Sequence, residues 1–312
     1  MFLSIDAGNS NVVFAFYDEQ QQRWTHEYRI SSQGGFSLAK LEKEMHLYML
    51  EHRIGRDTLT AIGFSSVVPE RIEPLEDFCR RFFGRSPYLI QGSSYAGLPV
   101  KTTKPDEIGT DLMCNAVAAY ARFLGPCIIV DFGTALTFTV VGPEGQIMGV
   151  NILPGLKTAI RALFTDTAKL PEVALELPTS AIGKDTVHSI QAGVLYGYTS
   201  LVKGMLQTIQ EELGYRCSIV ATGGLSSILH PLAGSFDLTD RYLTLEGIRL
   251  ITLAQPKKNK APTFPRTQSA VPAPGNPNRR FGSGPFAAKR GQSFRAQTPG
   301  KSPTWPSRSH IN

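Results

Sequence analysis

Short apolar runs separated by glycine-bearing turns open the chain, and longer stretches with apolar side chains three and four residues apart follow them. Residues 2–18 predict a strand, the Asp6-Ala7-Gly8-Asn9-Ser10 turn and a second strand over 12–17; the polar run 18–22 predicts another turn and the alternating stretch 24–30 a third strand. Leu38, Leu41, Met45, Tyr48 and Met49 fall at helical spacing and predict a helix over 36–53. A buried strand over 61–69 ends at Pro69, a helix over 70–84 ends at Gly84, and a short strand covers 88–90. Residues 92–105 read as an irregular loop rich in Gly, Ser, Thr and Pro, the kind of segment that often carries binding residues. A helical pattern over 107–123 precedes a second meander: strand 127–130, a turn at Asp131, strand 136–141, a turn over 142–145 and strand 146–152. Pro154-Gly155 opens a helix through 164, and a loop covers 165–183. A long helix spans 184–214, the strand 217–220 runs into Ala221-Thr222-Gly223-Gly224, and a last helix covers 244–254.

The two meanders share one plan: strand, acid-glycine turn, strand, tight turn, strand. Their aspartates, Asp6 and Asp131, stand 125 residues apart. A carboxylate at a strand end is costly to bury without a partner, so a cation or a hydrogen-bond network is expected beside it. The glycine that follows lets a ligand approach the backbone closely. Asn9, Ser10 and Thr134 add amide and hydroxyl donors suited to an anion. One such turn is weak evidence, because hairpins commonly use Asp-Gly chemistry. Two of them, each opening an αβ half, predict a cleft in which a triphosphate lies between two gripping turns, with a carboxylate holding its metal through water. Gly223-Gly224 is expected to let the backbone approach an adenine or ribose. A P-loop is excluded, since Gly183-Lys184 lacks the upstream glycine and is followed by Asp185; GxGxxG is absent after the first strand.

Composition changes the picture mainly at the C-terminus. The net charge of +6 arises wholly there: residues 256–312 carry 11 Lys/Arg and no Asp or Glu, leaving 21 of the 32 basic side chains against all 26 acidic ones, a net of −5, in 1–255. Ten of the 21 prolines also fall in 256–312, without apolar periodicity, which predicts a disordered basic tail. Weak contact of that tail with RNA is conceivable chemically, but a solvated tail is the favoured reading. Cys79, Cys114, Cys127 and Cys217 show no CxxC pairing and read as reduced, buried thiols of a cytoplasmic protein. No run approaches the roughly 18–20 apolar residues of a membrane span, and the N-terminus does not read as a signal peptide.

The motifs together resemble the acetate and sugar kinase, Hsp70 and actin superfamily, and within it the type III pantothenate kinases. The matching stretches are Asp6-Ala7-Gly8-Asn9-Ser10, Ser65-Ser66-Val67-Val68-Pro69, Gly109-Thr110-Asp111, Asp131-Phe132-Gly133-Thr134-Ala135-Leu136-Thr137, Gly149 to Pro154-Gly155, Gly183-Lys184-Asp185-Thr186 and Ala221-Thr222-Gly223-Gly224, in family order across about 1–255. The resemblance implies an α/β fold of duplicated actin-like (ribonuclease H-like) halves, 1–115 and 116–255, with a nucleotide cleft between them and the tail 256–312 outside. It implies ATP-dependent phosphorylation of pantothenate, the first step toward coenzyme A, by a cytoplasmic homodimer using Mg2+ with ATP and K+ or NH4+. It makes Asp6, Ala7, Gly8, Asn9, Ser10, Asn11, Val12 and Val13 the first phosphate turn, Thr134 a second ATP contact, and Asp131 the ligand of the monovalent cation. Gly109, Thr110, Asp111, Leu112, Thr102 and Thr186 fall on the pantothenate side. Alone, Asp111 reads as a first-turn acid complementing a helix dipole; in the family it is the general base. Three positions depart from the family pattern. Leu112 replaces an arginine that would grip the substrate carboxylate, Thr102 a tyrosine, and Thr139 an aspartate. Lys101 or Lys104 could supply the missing charge. The departures favour an alternative, a nucleotide-binding member without kinase activity that acts as a regulator or interaction protein; a sugar kinase of the same superfamily is a more distant third reading, disfavoured because the chain is short for that group.

Overall fold

The apolar runs become two five-stranded mixed sheets in the computed structural model, which describes residues 1–32, 37–167, 169–224 and 228–256. The predicted disordered tail falls, apart from Pro256, outside the described residues. The first sheet contains β1 (Phe2–Ala7), β2 (Asn11–Asp18), β3 (Arg23–Ser31), β4 (Ala61–Ser66) and β5 (Tyr88–Leu89), in the order β3-β2-β1-β4-β5. The second contains β6 (Cys127–Phe132), β7 (Ala135–Val141), β8 (Ile147–Pro154), β9 (Ser218–Thr222) and β10 (Leu238–Thr239), in the order β10-β9-β6-β7-β8. Read from the meander edge the two orders coincide, and the directions match. β1 and β6 each run antiparallel to the next strand and parallel to β4 or β9. The chain is thus a duplicated α/β structure.

Register carries the duplication down to single residues. Asp6 lies opposite Val13 on β2 and Ser65 on β4, while Asp131 lies opposite Thr137 on β7 and Thr222 on β9. Each aspartate is the fifth residue of a six-residue strand, so both carboxylates emerge at the carboxyl edge of their sheets, where open α/β sheets bind ligands.

Among the described residues six α-helices cover the sheets. Leu41, Met45 and Met49 of α1 (Leu38–Glu51) and Leu75, Phe78, Cys79 and Phe82 of α2 (Ile72–Phe82) pack on Leu3, Ile5 and Phe14 of the first sheet. α4 (Leu156–Thr165) and α5 (Thr186–Leu213) cover the second sheet in the same way, through Leu156, Leu195, Val202 and Leu206 against Ile128, Val130 and Phe138. α3 (Thr110–Phe123) and α6 (Leu243–Ala254) share one core with both sheets, joining Val13 and Ala15 to Ile129, Val141 and Val220. Gly247 of α6 abuts the backbone of Cys114 on α3, where a Cβ has no room, so that glycine permits the close helix crossing. All four cysteines are free and buried.

Some expectations need correction. β4 ends at Ser66 rather than Pro69, and Pro69 instead opens a short 3-10 turn, Pro69–Arg71; a proline cannot donate to a sheet ladder. α3 starts at Thr110, three residues later than the apolar pattern predicts, because Gly109 holds extended dihedrals as its N-cap. The 115/116 division falls inside α3, which runs unbroken through it. The loop 92–105 contains a 3-10 turn, Gly92–Tyr95, and Lys101 bridges to Gln146 of the second half. β10 and the 3-10 turn His230–Ser235 follow Gly224 in a stretch whose short apolar runs gave no prediction.

Thr139 is 1% exposed, and its hydroxyl has no hydrogen-bond partner. A buried, unsatisfied hydroxyl costs stability that an isosteric methyl does not. Thr139→Val is therefore expected to raise stability by about 1 kcal/mol, read as a higher denaturant midpoint at unchanged m-value.

Candidate active site

Three carboxylates converge at the carboxyl edges of the two sheets: Asp6 from β1, Asp131 from β6, and Asp111 from the first turn of α3. All three are half-buried. Burial pushes the Asp6 carboxyl up to about 7, with repulsion from Asp111 and Asp131 adding to the rise and Arg29 opposing it. Burial and repulsion from Asp111 hold Asp131 at about 6, against the pull of an amide from Asn115. Burial likewise raises Asp111, while the Leu112 N–H, which donates to its Oδ1 at 2.8 Å, opposes the shift. Charge repulsion across low-dielectric protein is the mark of a site that accepts a cation or proton.

The two turns meet. Ser10 Oγ, from the β1–β2 turn, and Thr134 Oγ1, from the β6–β7 turn, share a hydrogen bond of 2.7 Å. The first turn closes through Gly8 N–H to Asn11 O at 2.9 Å, and the second through Gly133 N–H to Ala135 O at 3.0 Å. Asn9 and Thr134 are exposed, whereas Val12 and Val13 are buried within β2 at 0% and 6%. The open part of the first turn is therefore Gly8-Asn9-Ser10, with Asn11 beginning β2 and Ala7 ending β1.

Gly223 makes its close approach inside the protein. It adopts φ +91°, and a Cβ there would lie 2.6 Å from Asp131 Oδ1 and 2.7 Å from the Phe132 backbone. Lack of a side chain at Gly223 is thus required by its packing on Asp131 and Phe132.

On the other wall, Thr110 Oγ1 shares a 2.8 Å hydrogen bond with Ser65 Oγ, and Leu112 is half-buried beside Asp111. Thr102 Oγ1 accepts from the Lys104 N–H at 3.2 Å. Lys104 does not stand free as a substitute for an arginine, since its ammonium pairs with Glu107 at 2.7 Å. Thr186 opens α5 and lines a surface cavity of about 640 Å³ with Leu163, Gly183, Lys184 and Ser189.

The sequence reading missed Asn115. It is fully buried on α3, one turn after Asp111; its Nδ2 donates to Asp131 Oδ2 at 2.9 Å, and its Oδ1 accepts from Thr244 Oγ1 of α6 at 2.7 Å. The i, i+4 spacing from Asp111 was the available signal. Arg71, which donates to Gly8 O at 3.1 Å, gave none.

Among the described residues no group of three or more His, Cys, Asp or Glu is arranged to hold a metal ion. The donors present still fit cations of the kind that travel with phosphates, because such ions need only one or two protein carboxylates. Beside Asp131, the Thr137 hydroxyl directly opposite on β7 is buried without a hydrogen-bond partner, an oxygen suited to a monovalent cation.

Known proteins resemble most of the chain. The family model described as type III pantothenate kinase matches residues 2–208. The type III pantothenate kinase of Exiguobacterium sibiricum is 37% identical over 256 residues, covering 80% of this chain and 98% of that protein. That of Treponema pallidum is 41% identical over 258 residues, covering 81% and 94%. Among solved structures, component A of the (R)-2-hydroxyglutaryl-CoA dehydratase of Acidaminococcus fermentans aligns with a TM-score of 0.46 at 12% identity, over 80% of this chain and 98% of that one. The match of the family model over most of the chain and the identity to full-length relatives show that the chain belongs to the type III pantothenate kinase family.

Proposed function

We propose that the chain phosphorylates the hydroxyl of pantothenate with ATP, with Asp111 as general base. The observation that carries this reading is the convergence of Asp6, Asp111 and Asp131 beside two hydroxyl-bearing turns that touch through Ser10 and Thr134. Phosphoryl transfer needs positioning and charge neutralisation more than covalent chemistry, plus one carboxylate to take the hydroxyl proton. Backbone N–H groups of Gly8 to Ser10 and the hydroxyls of Ser10 and Thr134 grip the phosphates. Asp6 would hold the divalent ion that accompanies ATP, Mg2+ in this reading, which would supply neutralisation of phosphate charge. Asp131 takes K+ or NH4+, oriented by Asn115. Asp111 accepts the proton from the attacking hydroxyl, and Gly109 and Thr110 shape the pantothenate side.

The reading extends to a cytoplasmic homodimer. Among the described residues no helix is long and apolar enough to cross a membrane. β8, α4 and the start of α5 leave Met148, Ile152, Phe164 and Val187 exposed, apolar surface that suits a second copy. Thr186, which lines a surface cavity, contacts pantothenate in this reading. The non-catalytic alternative draws on Leu112, but a regulator has no use for a carboxylate raised by burial next to two others.

The test is a coupled assay for ADP with pantothenate, Mg2+ and K+. Pantothenate-dependent turnover supports the reading, and its absence in protein that binds ATP favours the regulator. The base must be ionised to work, and burial raises Asp111. The acid limb of kcat/KM is therefore expected above the ordinary aspartate value of about 4, with the rate falling as pH drops through it; a limb at or below that value contradicts the assignment. Leu112→Arg places a guanidinium one residue after Asp111, on the pantothenate side of this reading. It is expected to lower the KM for pantothenate by about tenfold or more, the worth of a charge-assisted hydrogen bond, with the KM for ATP little changed.

A further inference from the structure

The stretch Ser65-Ser66-Val67-Val68-Pro69 has no part in the chemistry above, yet it and the two residues that follow touch both walls of the cleft. At one end, Ser65 is fully buried on β4, directly beside Asp6 in the parallel register. Its hydroxyl shares the 2.8 Å hydrogen bond with Thr110 Oγ1, and Thr110 also donates to Ser66 O at 3.3 Å. Thr110 is the first residue of α3, so this pair sets where the helix begins and where Asp111 points. At the other end, Arg71 spreads its guanidinium over the back of the first phosphate turn. Its Nη1 donates to Gly8 O at 3.1 Å and to Ser32 Oγ, and its Nη2 donates to Ser32 O at 3.4 Å. Ser32 Oγ donates to the same Gly8 O at 3.3 Å, and Ser32 N–H donates to Ser10 O at 2.8 Å. Two carbonyls of the turn are thereby tied away from the cleft, which leaves its N–H groups for an anion.

The link between the two ends is stiff. Val67 N–H donates to Ala7 O at 3.1 Å, extending the β1–β4 pairing past the strand. Ser66 Oγ donates to Val68 O at 2.9 Å and accepts from Val68 N–H at 3.1 Å, and Arg71 N–H donates to Val68 O at 3.1 Å. Pro69 sits at the start of the 3-10 turn, where its fixed φ suits the bend.

We propose that residues 65–71 form a two-armed positioning element, in which Arg71 sets the carbonyl side of the nucleotide-gripping turn and Ser65 sets the start of the base-bearing helix. This rests on the kinase reading for the roles of Gly8 and Asp111. Arg71 and Ser65 are positioning residues and touch neither substrate.

The full chain tests it by steady-state kinetics with each substrate varied in turn. Arg71→Ala is expected to raise the KM for ATP about tenfold, the equivalent of about 1.4 kcal/mol, and to leave the KM for pantothenate within about twofold. Arg71→Lys should recover only part of the loss, because an ammonium lacks the planar fork that reaches Gly8 and Ser32 together. Ser65→Ala should instead lower kcat about tenfold, since a base displaced by a fraction of an ångström loses attack geometry, with the KM for ATP unchanged. A merely structural role would lower the melting temperature and the active fraction of both variants and leave each KM where it was; that result overturns the proposal. An equal rise in the KM for ATP in both variants also overturns it. If the unaltered chain shows no pantothenate turnover, the kinase reading fails on its own account. ATP binding by calorimetry then decides: about tenfold weaker binding in Arg71→Ala upholds the arm at the turn, and unchanged binding overturns it.

Discussion

Asp111→Asn is expected to lower kcat by about 10²–10⁴-fold, the range general base catalysis contributes, with ATP binding preserved. The substitution keeps the shape of the side chain and an oxygen able to accept the 2.8 Å hydrogen bond from Leu112 N–H, so α3 keeps its first turn. What asparagine lacks is a site for the hydroxyl proton. It also removes one of the negative charges that hold Asp6 and Asp131 up, so those two are expected to ionise more readily. Kinetics and nucleotide calorimetry on the same preparation check both halves of the expectation. Turnover surviving undiminished removes Asp111 from the role of base.

Gly223→Ala is expected to cripple the site through geometry. The backbone stands at φ +91°, and the new Cβ would press on Asp131 Oδ1 at 2.6 Å and on Phe132 at 2.7 Å, atoms of a central strand. Holding a non-glycine residue at such a φ costs about 1–3 kcal/mol, and overpacking adds about 1–3 kcal/mol. Relief comes only by moving Gly223 or Asp131, and either movement disturbs the carboxylate that Asn115 orients. Reduced thermal stability together with weakened stabilisation by ATP is the expected result. Gly224→Ala, where a Cβ meets nothing within 4 Å, serves as the control. Equal behaviour of the two variants would contradict the role given to Gly223.

The repeat was legible because both halves write the same pattern. An apolar run, an aspartate at its fifth position, a glycine turn and a second apolar run recur at Asp6 and Asp131, and the structure turns that recurrence into matching strand orders. Period-two and helical spacing located the long elements because each buries one side on a sheet. Spacing was silent where burial is shared by distant segments. Lys101 bridges to Gln146, and Asn115 joins Asp131 to Thr244, through contacts that no local pattern records. β10 has two residues and no periodicity to read. Motif resemblance singled out the three aspartates, and folding brought them together. It gave no hint that Lys104 is paired with Glu107, that Thr102 is engaged by its own loop, or that Gly223 is packed against Asp131. Those side chains are defined by what the fold places beside them.

Phosphoryl transfer to pantothenate itself is the most direct test of the central claim. The full chain is incubated with ATP, Mg2+, K+ and pantothenate, and the products are identified by mass. The expected result is one phosphorylated pantothenate for each ADP formed, with both lost together in Asp111→Asn. ADP formation indifferent to pantothenate, or tight ATP binding with no phosphorylated product, would contradict it.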